Sequence, residues 1–345
     1  MIAETVARHR RRTDVPAIAA ALLPAVGPPE IVACGERIRG GAPVTTADRW
    51  HIGSCMKAMT AATVALFVQS GRLRWETPLA EVFDGVHPGW GSVPVAALLT
   101  GTSGLPAHPG PDELRSALTD PAPLPRQRSL LVERYLCRPP RHPGRFVYSN
   151  LGYVVVGAAL ERLTGAPFEE VLTRELLRPL RIGNAGFGPP TGAQPWGHRA
   201  RRTFLGIGMG RGPAIDPADP SPEHPPDNPP LLSPAGRLHV DLAGWAEFVR
   251  LFLNGPERLL TADSLRRLTT PPGTHTRQAM GWAIPKGPFA FAQQGSNARW
   301  VATAVVDPGR STAALVVCND GRTRMLRASL DLALALLRRR DDPRP

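Results

Sequence analysis

Ser54-Cys55-Met56-Lys57-Ala58-Met59-Thr60-Ala61-Ala62-Thr63-Val64-Ala65-Leu66-Phe67-Val68-Gln69-Ser70 is apolar on almost every side, and Gly71 follows it. A run of this length without a polar face predicts a helix buried in the middle of the protein, closed by a glycine just past its end. Lys57 is the one cation in the run. If the helix opens at Ser54, residues i and i+3 share a face and the Lys57 amine can reach the Ser54 hydroxyl. A serine hydroxyl is a weak nucleophile until a neighbouring base takes its proton. Burial lowers a lysine's pKa and populates the neutral amine that can act as that base. Met56, Met59 and Phe67 supply the apolar setting. The Ser54 backbone N–H, at the helix N-terminus, is a candidate oxyanion-hole donor.

Upstream of this helix, residues 1–12 predict a short helix with Ile2 and Val6 on one face. Val15 to Arg39 holds two apolar runs broken at Gly27-Pro28-Pro29, the pattern of a strand pair. Downstream, helices are expected near 93–100, 128–137, 150–164, 167–177 and 241–253. Nine of the 24 residues from 211 to 234 are proline, which predicts a long ordered loop without regular structure. Phe289 to Gln294, Trp300 to Val306 and Thr312 to Cys318 read as strands separated by turn residues. Met325 to Arg340 sets Leu326, Leu330, Leu334 and Leu337 on one helical stripe. Strands near both chain ends around a helical middle predict an α/β (α+β) fold. One antiparallel sheet, flanked by terminal helices, is built from both ends, with an all-helical lobe inserted beside it. The sheet lobe is expected over about residues 1–53 and 255–345, and the helical lobe over about 54–254.

A second cluster, Tyr148-Ser149-Asn150, lies 94 residues beyond Ser54, just before the apolar stretch Leu151-Gly152-Tyr153. A tyrosine at a helix entrance can share a proton with a lysine–serine pair, and an asparagine can hold the lysine or a substrate amide. Core packing by Tyr148 and a helix cap by Asn150 would suit the same pattern.

Composition narrows the partners. The formal net charge is +12, and of 41 basic residues only Lys57 and Lys286 are lysine. The arginines are scattered, with short clusters at Arg10 to Arg12 and Arg338 to Arg340, and no Cys/His zinc spacing or aromatic–basic RNA motif accompanies them. This predicts a solvated arginine-rich surface and no nucleic-acid partner. No apolar run reaches the ~18 residues that span a bilayer, and no apolar segment follows the N-terminal arginines. A cytoplasmic protein without a membrane partner is expected. Cys34, Cys55, Cys137 and Cys318 form no CxxC pair and read as free thiols, Cys55 as a packed one. No GxSxG elbow, HExxH or phosphate-binding glycine pattern occurs.

Taken together, Trp50-His51-Ile52-Gly53-Ser54-Cys55-Met56-Lys57, Leu98-Leu99-Thr100-Gly101-Thr102-Ser103-Gly104-Leu105-Pro106 and Tyr148-Ser149-Asn150-Leu151-Gly152-Tyr153 resemble the serine β-lactamase and penicillin-binding-protein superfamily. The class C β-lactamase, DD-peptidase and family VIII esterase branch is the most similar, over residues from about 15 to 335. The resemblance implies Ser54 as nucleophile, Lys57 as its proton partner, Tyr148 as general base or acid, and Asn150 as the group orienting Lys57 and the substrate. It implies no metal or organic cofactor. The family's third motif, a lysine or histidine followed by x-Gly on a strand, corresponds to Gln293-Gln294-Gly295, with Ser296 giving a second oxyanion N–H. Two positions depart from the pattern. Gly101 replaces a frequent histidine, and Gln293 offers no charge to a substrate carboxylate. Gln293 therefore favours a small neutral ester or amide over a lactam or D-Ala carboxylate, hydrolysed or transferred through an acyl-enzyme. A β-lactamase or DD-carboxypeptidase would need a cation from elsewhere, for which Arg299 is the candidate. Arg299 and Trp300 are also candidate lining residues. A catalytically silent binding protein is the third reading. No feature of the sequence sets the oligomeric state.

Overall fold

A computed structural model describes residues 2–201, 210–219, 221, 225–253, 258–274, 276–285 and 291–338. Among them are ten strands: β1 (Ala17–Pro24), β2 (Glu30–Gly35), β3 (Arg49–His51), β4 (Ala185–Phe187), β5 (His198–Arg201), β6 (Gly210–Ala214), β7 (Leu238–Asp241), β8 (Phe291–Ser296), β9 (Val301–Asp307) and β10 (Thr312–Cys318). The main sheet has the order β2-β1-β10-β9-β8 with every neighbour antiparallel. The pairing of Ile18 with Cys318 and of Ala21 with Leu315 joins the two ends of the chain at the sheet's centre.

Both faces of this sheet are covered, which is why β9 and β10 read as continuous apolar runs and not as alternating ones. On one face Val301, Val305, Ala314 and Val316 pack with Val6 of the helix Ala3–Thr13 and with Met325, Leu332 and Leu336 of the helix Arg324–Arg338. On the other, Ala302, Ala304, Leu315 and Val317 join the large core that also holds Met56, Met59 and Phe67. Of the expected leucine stripe of the last helix, Leu337 is buried, whereas Leu326, Leu330 and Leu334 are half-buried at the side and Met325, Ser329, Leu332 and Leu336 face the sheet. The polar Ser329 sits within the buried stripe because its hydroxyl bonds Thr303 Oγ1 at 2.6 Å.

The apolar helix runs over Met56–Gln69 and is buried at every residue from Met56 to Phe67. It packs against Asn150–Thr164, Phe168–Leu172, Ser233–Gly236 and Ala262–Thr269, so no side is left for polar residues. Ser54 belongs to a 3-10 turn, Gly53–Cys55, directly before the α-helix. Gly71 closes the helix at φ +71°, its N–H donating to Val68 O at 3.0 Å. The helix Leu242–Arg250 lies on β1 and β10.

The proline-rich stretch departs from expectation where it is described. Gly210–Ala214 pairs with His198–Arg201, and Pro230–Leu232 and Ser233–Gly236 form short helical turns. Proline's fixed φ suits the first turn of a helix, so Pro230 and Pro234 open these turns. Phe289 lies outside the described residues; β8 is described from Phe291 and continues to Ser296, two residues past Gln294.

Candidate active site

The end of β8 converges on the turn before the Met56–Gln69 helix, and glycines permit the approach. A Cβ on Gly295 would lie 2.1 Å from Ile52 O and 2.6 Å from Ser54 N. A Cβ on Gly53, itself at φ +52°, would lie 2.5 Å from Ser296 N. The end of β8 is therefore pressed against the Ser54 turn, bringing the Ser54 and Ser296 backbone nitrogens into one junction. Ser296 Oγ is used locally, accepting from Ala298 N at 2.9 Å.

Lys57 is 3% exposed. Its Nζ donates to Ala235 O at 2.5 Å, to Asn150 Oδ1 at 2.6 Å and to Ser54 Oγ at 3.2 Å. Burial brings its pKa down from 10.5 to about 7, against a small opposing contribution from Cys55. Two of its three partners are carbonyl oxygens that only accept. The third is a hydroxyl that can also donate, so in the neutral amine the lone pair falls to Ser54. The rings of Tyr148 and Tyr153 lie 5.1 and 5.3 Å from Nζ.

Tyr148 stands at the mouth of the site with 45% of its surface exposed. Desolvation of its inward end raises the phenol pKa, and the facing Ser54 hydroxyl offsets this in part. Ser149 is the cap of the following helix, accepting from Gly152 N at 2.9 Å, so Asn150 opens Asn150–Thr164 with its amide on Lys57. The other end of that amide, Nδ2, donates to His108 Nδ1 at 3.2 Å. Gly101 is a structural glycine at φ +70°, where a Cβ would meet Val147 O at 2.5 Å. That contact carries Phe146 and Tyr148 to the site.

Ser54, Lys57, Tyr148 and Gln293 line one cavity of about 450 Å³, with Leu99, Phe146, Tyr153, Ala279 and Gln294 among its other walls. Asn150, Gly295 and Ser296 act from behind that surface. Gln293 is 4% exposed, and among the described residues neither Oε1 nor Nε2 has a hydrogen-bond partner. Its neighbour Gln294 is engaged instead, donating to Leu326 O at 2.6 Å and Thr303 Oγ1 at 3.1 Å. Among the described residues lining the cavity, Lys57 is the only cation.

Arg299 and Trp300 are not among those walls. Arg299 is buried behind β8, its Nη1 donating to Asn297 O at 2.8 Å and its Nη2 to Pro225 O, so the candidate replacement charge points away. Trp300 stacks on His51 and donates to Pro195 O at 3.1 Å. Cys55 is fully buried, and burial pushes its thiol far up, which keeps it from acting as a nucleophile. Sequence reasoning missed the Ala235 carbonyl and His108. Backbone acceptors and partners brought by a loop leave no residue-type signal. Among the described residues no three His, Cys, Asp or Glu side chains form a metal-binding group.

An antiparallel sheet flanked by terminal helices, a half-buried serine on a buried lysine at the start of a central helix, and a strand edge beside them define a β-lactamase-type serine hydrolase fold. The sequence profile of the Beta-lactamase family matches residues 11–338, and the chain belongs to that family. It is 22% identical over 241 residues to the putative penicillin-binding protein PbpX of Bacillus subtilis (strain 168), covering 70% of this chain and 55% of PbpX, so it spans about half of that relative's length. It is 27% identical over 312 residues to penicillin-binding protein 4 of Amycolatopsis lactamdurans, covering 84% of this chain and 77% of that one. The D-amino acid amidase of Ochrobactrum anthropi SV3 shares the fold, with a TM-score of 0.77 at 18% identity over 99% of both chains. No helix among the described residues is long and apolar enough to cross a membrane.

Proposed function

We propose that this protein is a serine hydrolase or acyltransferase that forms an acyl-enzyme on Ser54 with a small ester or amide, uncharged where it meets Gln293. The observation that carries the reading is the Lys57 amine, buried, with its pKa lowered to about 7, and held by two carbonyl oxygens with Ser54 Oγ as its third partner. Neutral Lys57 takes the Ser54 proton as Oγ attacks the carbonyl carbon. The Ser54 and Ser296 N–H groups then stabilise the oxyanion. Tyr148, its phenol kept protonated by its raised pKa, gives its proton to the departing oxygen or nitrogen and is reprotonated from Lys57. Water or another nucleophile then attacks the acyl carbon, and Ser54 is released.

The unpartnered Gln293 amide supports a neutral substrate group with both a donor and an acceptor, such as a second amide. The Gln293 amide carries no charge to pair with a carboxylate, which supports an uncharged group there. The amidase named above, with the same fold, is consistent with amide chemistry. We also propose that the cavity lies at the junction of a sheet lobe, about 1–53 and 255–345, and a helical lobe, about 54–254, within one domain.

The test is intact-protein mass spectrometry after exposure to a fluorophosphonate and to a short-chain p-nitrophenyl ester, with Ser54→Ala alongside. A single adduct on the wild type and none on the variant is expected. An unlabelled wild type would move the protein to a binding role on this fold.

A further inference from the structure

Asp227 lies in the segment between β6 and β7, behind the site. Asp227 is 4% exposed, and its two oxygens receive four donors. Oδ1 accepts from Asn228 N at 2.8 Å and Asn297 Nδ2 at 2.9 Å. Oδ2 accepts from His51 Nε2 at 3.0 Å and Arg237 Nε at 3.1 Å. Burial alone would raise this carboxyl's pKa, but His51, Arg237 and Asn297 together hold it well below the usual carboxylate range.

Each side-chain donor belongs to a different wall of the site. His51 ends β3, and its Nδ1 accepts from Gly53 N at 3.1 Å. That bond requires the lone pair on Nδ1, so the ring proton is on Nε2, toward Asp227. Gly53 is the left-handed residue immediately before Ser54. Asn297 follows Ser296, and its Oδ1 closes the β8–β9 turn by accepting from Arg299 N at 3.2 Å and Trp300 N at 3.1 Å. Arg237 follows Gly236, whose backbone packs on Gly53, and Ala235, whose carbonyl holds Lys57.

We infer that Asp227 is a positioning residue for acylation, tying the Ser54 turn, the Ser296 turn and the Lys57 acceptor into one frame through His51, Asn297 and Arg237. It lines no part of the cavity and touches no reacting atom. Its effect runs through the relative placement of nucleophile, base and oxyanion donors, where displacements of about 1 Å can cost about 100-fold in rate. The inference rests on Ser54 being the nucleophile.

Asp227→Asn preserves shape but turns an acceptor oxygen into a donor among four donors. The experiment measures two quantities with a fluorophosphonate: the second-order labelling rate constant per labelable site, and the final labelled fraction. The expected result is a rate constant about 10- to 100-fold lower with the labelled fraction near that of the wild type. A purely structural role would lower the labelled fraction and the melting temperature and leave the rate per site unchanged; that result overturns the inference. Should Asp227→Asn fail to fold, Asn297→Ala removes one donor and carries the same test, with a slowed rate per site expected and an unchanged one decisive against. A wild type that is not labelled at all removes the Ser54 reading and this inference with it, whereas labelled wild type with unaltered variants removes this inference alone.

Discussion

At the start of the Met56–Gln69 helix, polar groups are matched one to one. Lys57 has three partners, Asn150 is held at both ends of its amide, and glycines 53 and 295 admit backbone where no side chain fits. Across the same cavity Gln293 is as buried as Lys57 and, among the described residues, has no partner for either amide atom. An unsatisfied buried polar atom costs about 1–3 kcal/mol, so the two walls carry opposite kinds of cost. Lys57 bears the penalty of a desolvated base, which chemistry at Ser54 requires whatever the substrate. Gln293 bears the penalty of an unmet amide, which a substrate with the right group would relieve. On the function proposed above, the first wall would set the reaction class and the second what enters.

The largest effect should come from the first wall. Ser54→Ala is expected to lower ester turnover by about 10⁵-fold or more and to abolish covalent labelling, read by mass spectrometry and p-nitrophenol release. Retained turnover in that variant would put the chemistry elsewhere. Lys57→Met should cost about 10³-fold, within the range for losing a general base. In the wild type, acylation should rise with pH through about 7 as the amine deprotonates, and Lys57→Met should lack that limb. Stability should follow the same group. Between about pH 7 and 10.5 the unfolded chain binds a proton that the folded lysine does not, so wild-type stability rises with pH across that window. Lys57→Met should be the more stable protein near pH 7, the two curves approaching each other toward pH 10.5. Thermal melts at several pH values check the sign, and parallel curves would place the Lys57 pKa nearer its ordinary value.

A smaller loss sharpens the division of labour at the mouth. Tyr148→Phe removes the proposed proton donor to the leaving group and keeps the ring. A loss of about 10- to 100-fold is expected for alkyl esters and amides. Much less should be lost for p-nitrophenyl esters, whose leaving group departs without a proton. Equal losses for both substrate types would assign Tyr148 to the attack step.

The sequence was legible where chemistry and periodicity coincide. Ser54 and Lys57 three apart, an all-apolar helix closed by Gly71, and β-branched runs at 301–306 and 312–318 each follow from local rules. The sheet's joining of the chain ends could be read from where strands fall. What escaped was non-local. Nothing in a proline count predicts that residues 210–214 pair with 198–201, or that Asp227 reaches His51, 176 residues away in sequence. The leucine stripe of the last helix was only partly in phase: Leu337 is buried, but the centre of the buried face holds Ser329, polar by type and bonded to Thr303. Arg299, beside the third motif in sequence, turns to Pro225 and Asn297 because a buried guanidinium goes where carbonyls are.

The finest test concerns the second wall alone. Gln293→Leu keeps the volume approximately and removes two unpartnered polar atoms, so the free protein should gain about 1–2 kcal/mol of stability, read from denaturant midpoints. If the amide is kept for a substrate group, the same change should raise KM for amide-bearing esters by about 5-fold for one lost hydrogen bond and about 30-fold for two, at about 1 kcal/mol each. Simple alkyl esters, which cannot use the amide, should keep their KM, and labelling of Ser54 by a fluorophosphonate should be unchanged. Gln293→Lys sets the complementary case. A cation placed there should favour carboxylate-bearing esters over their amides, a preference the wild type should lack. A Gln293→Leu protein that gains stability without losing any substrate would make the amide a packing remnant, and the identity of the substrate would then have to be sought along Phe146 and Tyr148 at the opposite rim.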